Sequence, residues 1–414
     1  MKNKIELLAP AGSFESLQAA IHAGADAVYF GVEQLNMRAK SQQPFSIADI
    51  REIKILCAAH HVKTYLTLNT VMYEHDMQLL RTILKEVKKQ GIDAVIAADF
   101  AVMEQCRQLG IPLHISTQAN VSNIEAVRFF AAFADTVVLA RELTLKQVKQ
   151  ITQEIIRKKI KGISGESMKV EIFVHGALCM AVSGKCYISL HSQNSSANRG
   201  ACNQHCRHAY KVTDLETNEE LIIENEYIMS PKDLCTIDIL DQVVDSGIHI
   251  VKIEGRSKGP DYVSTVTRCY REALDALENG TYTSEKIAVW KTELATVYNR
   301  GFWEGYYLGR KLGEWTPNPG SAASEKKVYV GKGIRYYPKI QVAEFIIESG
   351  SIQIGDELMI MGRKFGVMKE KVDILTVNGA RAFVAIKGDR ITFPFAEKII
   401  ATDKMYKMVK AANA

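Results

Sequence analysis

Eight short apolar runs, at residues 5–8, 27–30, 63–68, 94–97, 113–117, 136–139, 170–174 and 248–253, punctuate the first 255 residues of this 414-residue chain. Longer amphipathic stretches lie between them, among them 13–22, 47–60, 75–89 and 143–161, several opened by Ser, Asp or Thr in capping positions. Short apolar strands alternating with helical periodicity predict a parallel sheet wrapped by crossover helices. Eight such units are the number that closes a TIM-like (β/α)8 barrel, so the expected fold class is α/β. With 47% hydrophobic and 24% charged residues the chain can bury a large core, which excludes disordered, collagen-like and small disulfide-held classes.

The alternation is interrupted once, by a long insertion at 175–247 that holds five of the eight cysteines. Within it, 210–221 reads as a small hairpin. Beyond the eighth run, 261–280 reads as the closing helix and 284–299 as another. A Pro-, Gly-, Ser- and Ala-rich stretch at 316–324 predicts a linker. After it the period shortens to strands at 328–330, 341–345, 357–360, 365–367, 382–386 and 391–393, separated by turn residues such as Gly331, Gly355, Gly379 and Gly388. This pattern predicts a small C-terminal antiparallel β-barrel. The expected organisation is therefore a barrel over 1–315, a linker and a β-domain over 325–414. That last segment carries sixteen Lys or Arg against ten Asp or Glu, whereas the rest of the chain is nearly balanced at 36 against 37.

No stretch reaches the roughly 18 apolar residues of a membrane span, since even 129–139 is broken by Asp135, and Glu6 interrupts the apolar start of the chain. The expectation is a cytoplasmic protein without a membrane partner. In a reducing compartment clustered cysteines point to metal or redox chemistry rather than disulfides. Cys179 and Cys186 are separated by six residues, Cys202 follows after fifteen more and Cys206 after three, with Cys235 further on. Thiolates converging from Gly- and Asn-rich loops suit a soft metal centre, either an iron–sulfur cluster or zinc. Cys57, Cys106 and Cys269 sit singly on helical patterns and read as small buried hydrophobes. His205 and His208 read as hydrogen-bonded loop residues, whereas His175 terminates a strand.

Chemistry in such barrels collects where the strands end. Asn69, Asp99, Gln118, Asn120, Arg141, Glu142, His175, Glu254 and Arg256 all follow apolar runs closely, so several of them are expected to share one cavity.

The run Glu171-Ile-Phe-Val-His-Gly-Ala-Leu-Cys-Met-Ala-Val-Ser-Gly-Lys-Cys-Tyr-Ile-Ser189 resembles the signature of the collagenase-like peptidase family U32. So do the blocks Leu7 to Gly12, Gly24 to Gly31, Asn198-Arg-Gly-Ala-Cys-Asn-Gln-His-Cys-Arg207, Ser230 to Leu234 and Val251-Lys-Ile-Glu-Gly-Arg256. His205 departs from relatives that carry Pro or Ala there. The resemblance spans essentially the whole chain and is strongest to the prephenate-dependent tRNA hydroxylases that form 5-hydroxyuridine at the wobble position. It implies tRNA as partner, prephenate or a prephenate-derived co-substrate, and an iron–sulfur cluster, of the 4Fe-4S type, held by Cys179, Cys186, Cys202 and Cys206, with Cys235 in reserve. The same family implies alternatives: a collagenase-like peptidase, an rRNA hydroxylase or a quinone-ring hydroxylase. For the first of these there is no His-Glu-x-x-His helix and no Gly-x-Ser-x-Gly elbow.

On the hydroxylase reading, Arg141 and Arg256 are candidates to clamp a carboxylate, or else form structural ion pairs. Gln118 is a candidate for substrate binding, and His175, Glu254 and Asn69 for orienting or deprotonating a base. The basic C-terminal region and the run 157–161 are candidates for phosphate contacts, the latter equally for a solvated helix face. Tyr336, Tyr337, Phe365 and Phe393 are candidates either to stack bases or to fill a β core.

Overall fold

The computed structural model describes residues 4–38, 45–208, 210, 212–213, 215–217, 220–221, 229–309, 313–317 and 320–411. Seven strands run in chain order as parallel neighbours: β1 (Glu6–Pro10), β2 (Ala27–Phe30), β3 (Lys63–Leu68), β4 (Ala94–Ala97), β5 (Leu113–Ile115), β6 (Thr136–Val138) and β7 (Lys169–Gly176). The chain then leaves the ring. It forms a short antiparallel pair, β8 (Val212–Thr213) with β9 (Glu220–Leu221), which is the expected hairpin; residues 211, 214, 218 and 219 of that stretch lie outside the described residues. It returns as β10 (Asp233–Cys235), antiparallel to the end of β7. Only then comes β11 (Ile250–Ile253), which pairs parallel with both β7 and β1 and closes the eight-stranded barrel. A two-residue strand, β12 (Phe302–Trp303), extends the sheet beyond β10.

The barrel strands are short and buried on both sides, so their alternating residues fill two separate cores. Leu7, Ala9, Val28, Phe30, Leu66, Val95 and Val251 face the helices, while Leu8, Ala27, Tyr29, Tyr65, Ala94, Ile96 and Ile250 form a cluster of their own. Outside lie α1 (Phe14–His22), α2 (Asp49–Ala59), α3 (Met77–Gln90), α4 (Phe100–Leu109), α5 (Ile124–Phe130), α6 (Leu145–Arg157), α7 (Ile188–Gln193), α8 (Leu240–Asp245), α9 (Pro260–Glu278) and α10 (Ser284–Thr296). Ser13, Asp99, Asn123, Thr144 and Thr283 cap five of them through their side chains, satisfying backbone N–H groups that have no helical partner. Asp99 is thus a helix cap. The run 157–161 is a solvated face, with Arg157 on Glu154 at 2.6 Å and Lys158 on Glu125 at 3.3 Å. No described helix is long and apolar enough to cross a membrane.

The C-terminal region is antiparallel, as its alternation predicts. Its strands are β13 (Glu325–Tyr337), β14 (Val342–Ile347), β15 (Ser351–Gln353), β16 (Glu357–Gly362), β17 (Gly366–Lys371), β18 (Thr376–Val377), β19 (Ala380–Arg381), β20 (Val384–Ile386), β21 (Arg390–Pro394) and β22 (Lys404–Lys410). Eight of them form one sheet in the order β17-β16-β22-β13-β14-β21-β18-β19, and β15 pairs separately with β20. The registers describe antiparallel sheets with β17 and β19 as the ends of the larger one. β22, which the short-run reading did not anticipate, lies between β16 and β13 and pairs antiparallel with both. Phe365 and Phe393 are buried in this core, Phe393 stacked on Phe345 at 5.4 Å, so neither presents a free face. Residues 318 and 319 of the expected linker lie outside the described residues.

This region is docked on the barrel through α1, α2 and α9. The Phe365 carbonyl meets His22 Nδ1 at 3.1 Å, Arg363 bonds Glu52 at 2.7 Å and lies over the Phe14 ring, and Lys327 bonds Asp261 at 2.5 Å. Gly366 sits at φ +79° with its α-carbon against α1, where a Cβ would come within 2.6 Å of the Ala19 backbone nitrogen. Replacing Gly366 by Ala is expected to destabilise the protein by about 1–3 kcal/mol, from backbone strain and a forced separation of β17 from α1. Thermal or urea unfolding checks this, and an unchanged midpoint would show that the seam yields freely.

Candidate active site at the barrel mouth

The lumen beneath the mouth is held by charge. Lys252 of β11 donates to Glu171 Oε1 of β7 at 2.8 Å, and His114 of β5 bonds Glu171 Oε2 at 3.1 Å; all three are buried. Burial pushes the Glu171 carboxyl up, but Lys252 and His114 outweigh it and hold it down to about 2. The ammonium also lies 4.5 Å from the Tyr29 ring centre. Just past Lys252 the β7–β11 register slips, pairing Lys252 with Phe173 but Ile253 with His175. The skipped Val174 carbonyl accepts instead from Thr236 and Tyr270, a bulge that seats β10 against β7.

Above this layer a small cavity of about 50 Å³ is lined by Asn69, Gln118, Arg141, Glu254 and Arg256, five of the strand-end residues singled out from sequence. Four strand ends deliver them: β3 brings Asn69, β5 Gln118, β6 Arg141, and β11 both Glu254 and Arg256. Asn69 Nδ2 donates to Gln118 Oε1 at 3.2 Å, and Ser116 donates to the same oxygen. Arg256 donates to Asn36 Oδ1 at 3.0 Å and Thr67 Oγ1 at 2.5 Å, neither of them charged, and burial brings its guanidinium down to about 10. Arg141 lies over the Phe173 ring at 3.9 Å and donates to the Ala177 carbonyl. Burial pushes the Glu254 carboxyl up, yet Arg38, Arg141 and Lys258 together hold it below its ordinary range. Arg38 bonds it directly at 2.8 Å. Gly176, at φ +107°, ends β7 so tightly against β11 that a Cβ would lie 2.5 Å from the Glu254 carbonyl oxygen.

His175 does not join this cavity. It is buried among Tyr262, Tyr270 and Phe302, whose rings stand 5.5–5.9 Å away, and burial lowers it to about 3, so the imidazole is neutral. Arg38 and Lys252, which sequence reasoning did not single out, do join it. The signal for Lys252 was a lone charge inside an apolar strand run, shared by Glu171; Arg38 had none, because it reaches the mouth from the loop after β2.

The four cysteines come together. Cys179, Cys186, Cys202 and Cys206 are free thiols that line one cavity of about 270 Å³ over the mouth, and Met37, Arg38, Thr117, Gln118 and Arg141 line both cavities. Burial raises the Cys206 thiol, Arg207 opposes this, and the other three cysteines raise it further, so the four sense one another. Within the insertion Arg207 donates to Ser230 Oγ, Pro231 O and Leu178 O, and Arg199 staples the loop to the barrel by bonding Asp76 and lying over Tyr73. Cys235 stands elsewhere, on β10 beneath the Tyr270 hydroxyl. Cys57, Cys106 and Cys269 are buried singly, as expected. His205 lines the cysteine cavity but bonds Ser192 and stands edge-on to His208. Among the described residues no three His, Cys, Asp or Glu side chains are close enough to hold a single metal ion.

Nine buried side-chain polar atoms among the described residues lack a partner, and six belong to this end of the barrel: Arg38 Nε, Thr70 Oγ1, Thr117 Oγ1, Asn120 Oδ1, Arg141 Nε and Asn198 Oδ1. Unpaired buried polar atoms are costly, and two-thirds of those found among the described residues gather at this end of the barrel.

The profile of peptidase family U32 matches residues 12–317. A protein from Porphyromonas gingivalis named collagenase is 53% identical over 408 residues, covering 99% of both chains. The tRNA hydroxylation protein P of Helicobacter pylori is 33% identical over 335 residues, 78% of this chain and 76% of that one. The 23S rRNA 5-hydroxycytidine C2501 synthase of Escherichia coli is 34% identical over 279 residues, 66% of this chain and 40% of that one.

Two predictions follow from the electrostatics. Glu171→Gln leaves the Lys252 ammonium buried without its carboxylate and is expected to cost about 3–5 kcal/mol in denaturant unfolding. His175, depressed from 6.5 to about 3, contributes stability that is full above pH 6.5 and is lost as pH falls toward 3, because the unfolded chain takes up the proton first. His175→Asn is expected to flatten stability against pH in that window, as read from unfolding curves at stepped pH.

Proposed function

The chain belongs to peptidase family U32, and within it we propose an RNA-modifying redox enzyme, a cytoplasmic tRNA hydroxylase that forms 5-hydroxyuridine at the wobble position. The observation that carries this reading is adjacency: four free thiols line a cavity that shares Arg38, Gln118 and Arg141 with a basic barrel mouth. A lone zinc ion would draw its ligands to within about 2.3 Å of one point, which these side chains do not approach. A cluster spreads its cysteines over several irons, so four thiols around a roomy cavity fit a 4Fe-4S group better. Cys179, Cys186, Cys202 and Cys206 would hold it, and it would supply single-electron transfer.

The mouth suits a dianion such as prephenate or a compound derived from it. Arg38, Arg141, Lys252 and Arg256 face two carboxylates, Glu254 and Glu171, which leaves an excess of two positive charges. Arg141 and Arg256, neither bonded to a carboxylate by any contact above, present guanidinium forks to a bound one. Glu254, held ionised by Arg38, is the proton acceptor nearest that site. The basic C-terminal sheets, which we read as a small β-barrel, would meet RNA phosphates.

The collagenase-named relatives favour a second reading, proteolysis. It has less chemical support at this site. A thiol protease needs a cysteine beside an imidazole base, and burial leaves His175 a weak base enclosed by aromatic rings while His205 is bonded to Ser192.

Anaerobically purified protein is expected to be brown and to contain iron and sulfide, both lost in Cys179→Ser and Cys202→Ser. In a deletion strain, Arg141→Lys and Arg256→Lys are each expected to lower wobble 5-hydroxyuridine by at least tenfold on mass analysis. Unchanged levels would remove the clamp, and a colourless protein that cleaves gelatin would restore the peptidase reading.

A further inference from the structure

We infer that a side pocket beside the mouth is the subsite for a flipped pyrimidine base, an assignment that rests on the RNA-hydroxylase reading above. The pocket has a volume of about 200 Å³ and lies between the loop after β3, the turn from β4 into α4 and the cysteine loop. Met37, Asn69 and Gln118 line both it and the basic mouth, and Gly184 lines both it and the cysteine cavity. A ligand there borders the anion site on one side and the thiols on the other.

Two polar atoms of its lining have no partner among the described residues: Thr70 Oγ1, on a residue only 2% exposed, and Asn198 Oδ1. The main chain already fastens these segments, since Val71 N donates to the Asn198 carbonyl at 3.2 Å, so the two side chains are not needed to hold the loop. A buried hydroxyl and amide left unpaired call for a ligand that completes them. That ligand is uncharged where it meets them. The one carboxylate among the lining residues, Asp99, is spent on the backbone N–H groups of Ala101 and Met72 at 2.8 and 2.9 Å. What remains is a hydroxyl and amides, groups that donate and accept, as the edge of a pyrimidine does.

The rim supplies the other two features of a nucleotide. Phe100, the first residue of α4, is 67% exposed, an unusual place for a phenyl ring and a surface on which a base can stack. Lys185, also exposed, stands at the same pocket with a charge suited to phosphate. A peptide amide also alternates donor and acceptor, but it offers neither an aromatic face nor a phosphate, so the rim favours the nucleotide.

The test is calorimetric titration of the full chain with a uridine-containing stem-loop RNA, with uridine 5′-monophosphate and with a collagen-type tripeptide. Thr70→Val keeps the side-chain shape and removes the hydroxyl; Asn198→Ala and Phe100→Ala remove the amide and the ring. Each is expected to weaken both uridine ligands about five- to tenfold, the loss of one hydrogen bond or one stacking contact, with iron content and melting temperature unchanged. If the parent binds uridine RNA and Thr70→Val binds it equally well, the base subsite is overturned while the hydroxylase reading stands. If the parent binds no uridine ligand, both fall. Weakened tripeptide binding with unaltered RNA binding would assign the pocket to a peptide and overturn the proposal.

Discussion

The bond between the Lys252 ammonium and the Glu171 carboxylate spans the seam at which the barrel closes. Two charges in a lumen otherwise filled by Leu8, Ala27, Tyr29, Tyr65, Ala94, Ile96 and Ile250 are tolerable only when they meet, so this pair ties the register of β11 to that of β7. His114 extends the constraint to β5, and Tyr29 carries it to β2. The register slip just beyond Lys252 is where the regular barrel ends. Beyond that point Val174 receives β10, Gly176 releases the cysteine loop, and Glu254 and Arg256 rise into the mouth.

Three cavities meet above that seam, and each has its own chemistry. The mouth is cationic, with guanidinium groups held over Phe173 and against Thr67 and Asn36, none of which is a carboxylate. The cavity over it is lined by thiols, and the pocket beside it by a hydroxyl and amides. Arg38, Gln118 and Met37 belong to more than one of them, so a group bound in one would be felt in the next. Most of the unpaired polar atoms among the described residues lie where these three cavities meet.

Much of this was legible in the residue order. Strands β2, β3 and β4 coincide with their apolar runs, since a strand buried on both faces reads as a short continuous apolar segment whose length and β-branched or aromatic residues mark it. The gathering of Asn69, Gln118, Arg141, Glu254 and Arg256 followed from barrel geometry, which brings all strand ends to one face. The cysteines stood out because Gly and Asn around them deny a packed core. His175 was misleading for a physical reason: it also ends a strand, but the bulge at Val174 and the appended β10 place its ring against Tyr262, Tyr270 and Phe302 rather than the mouth. Arg38 was invisible because its reach depends on a loop path that no periodicity encodes.

What the residue order determines alone is therefore everything set by local period and count: eight apolar runs for eight strands, short alternation for the antiparallel C-terminal sheets, and thiols confined to one insertion. Pairing is different, because it depends on groups far apart in the chain and on the cost of burying them unmatched. Only the tertiary structure decides that Glu171 answers Lys252, that Arg38 answers Glu254, and that Thr70 and Asn198 answer nothing within the described protein. A charge finds its partner through space, and its depth below the surface fixes how much that partner matters.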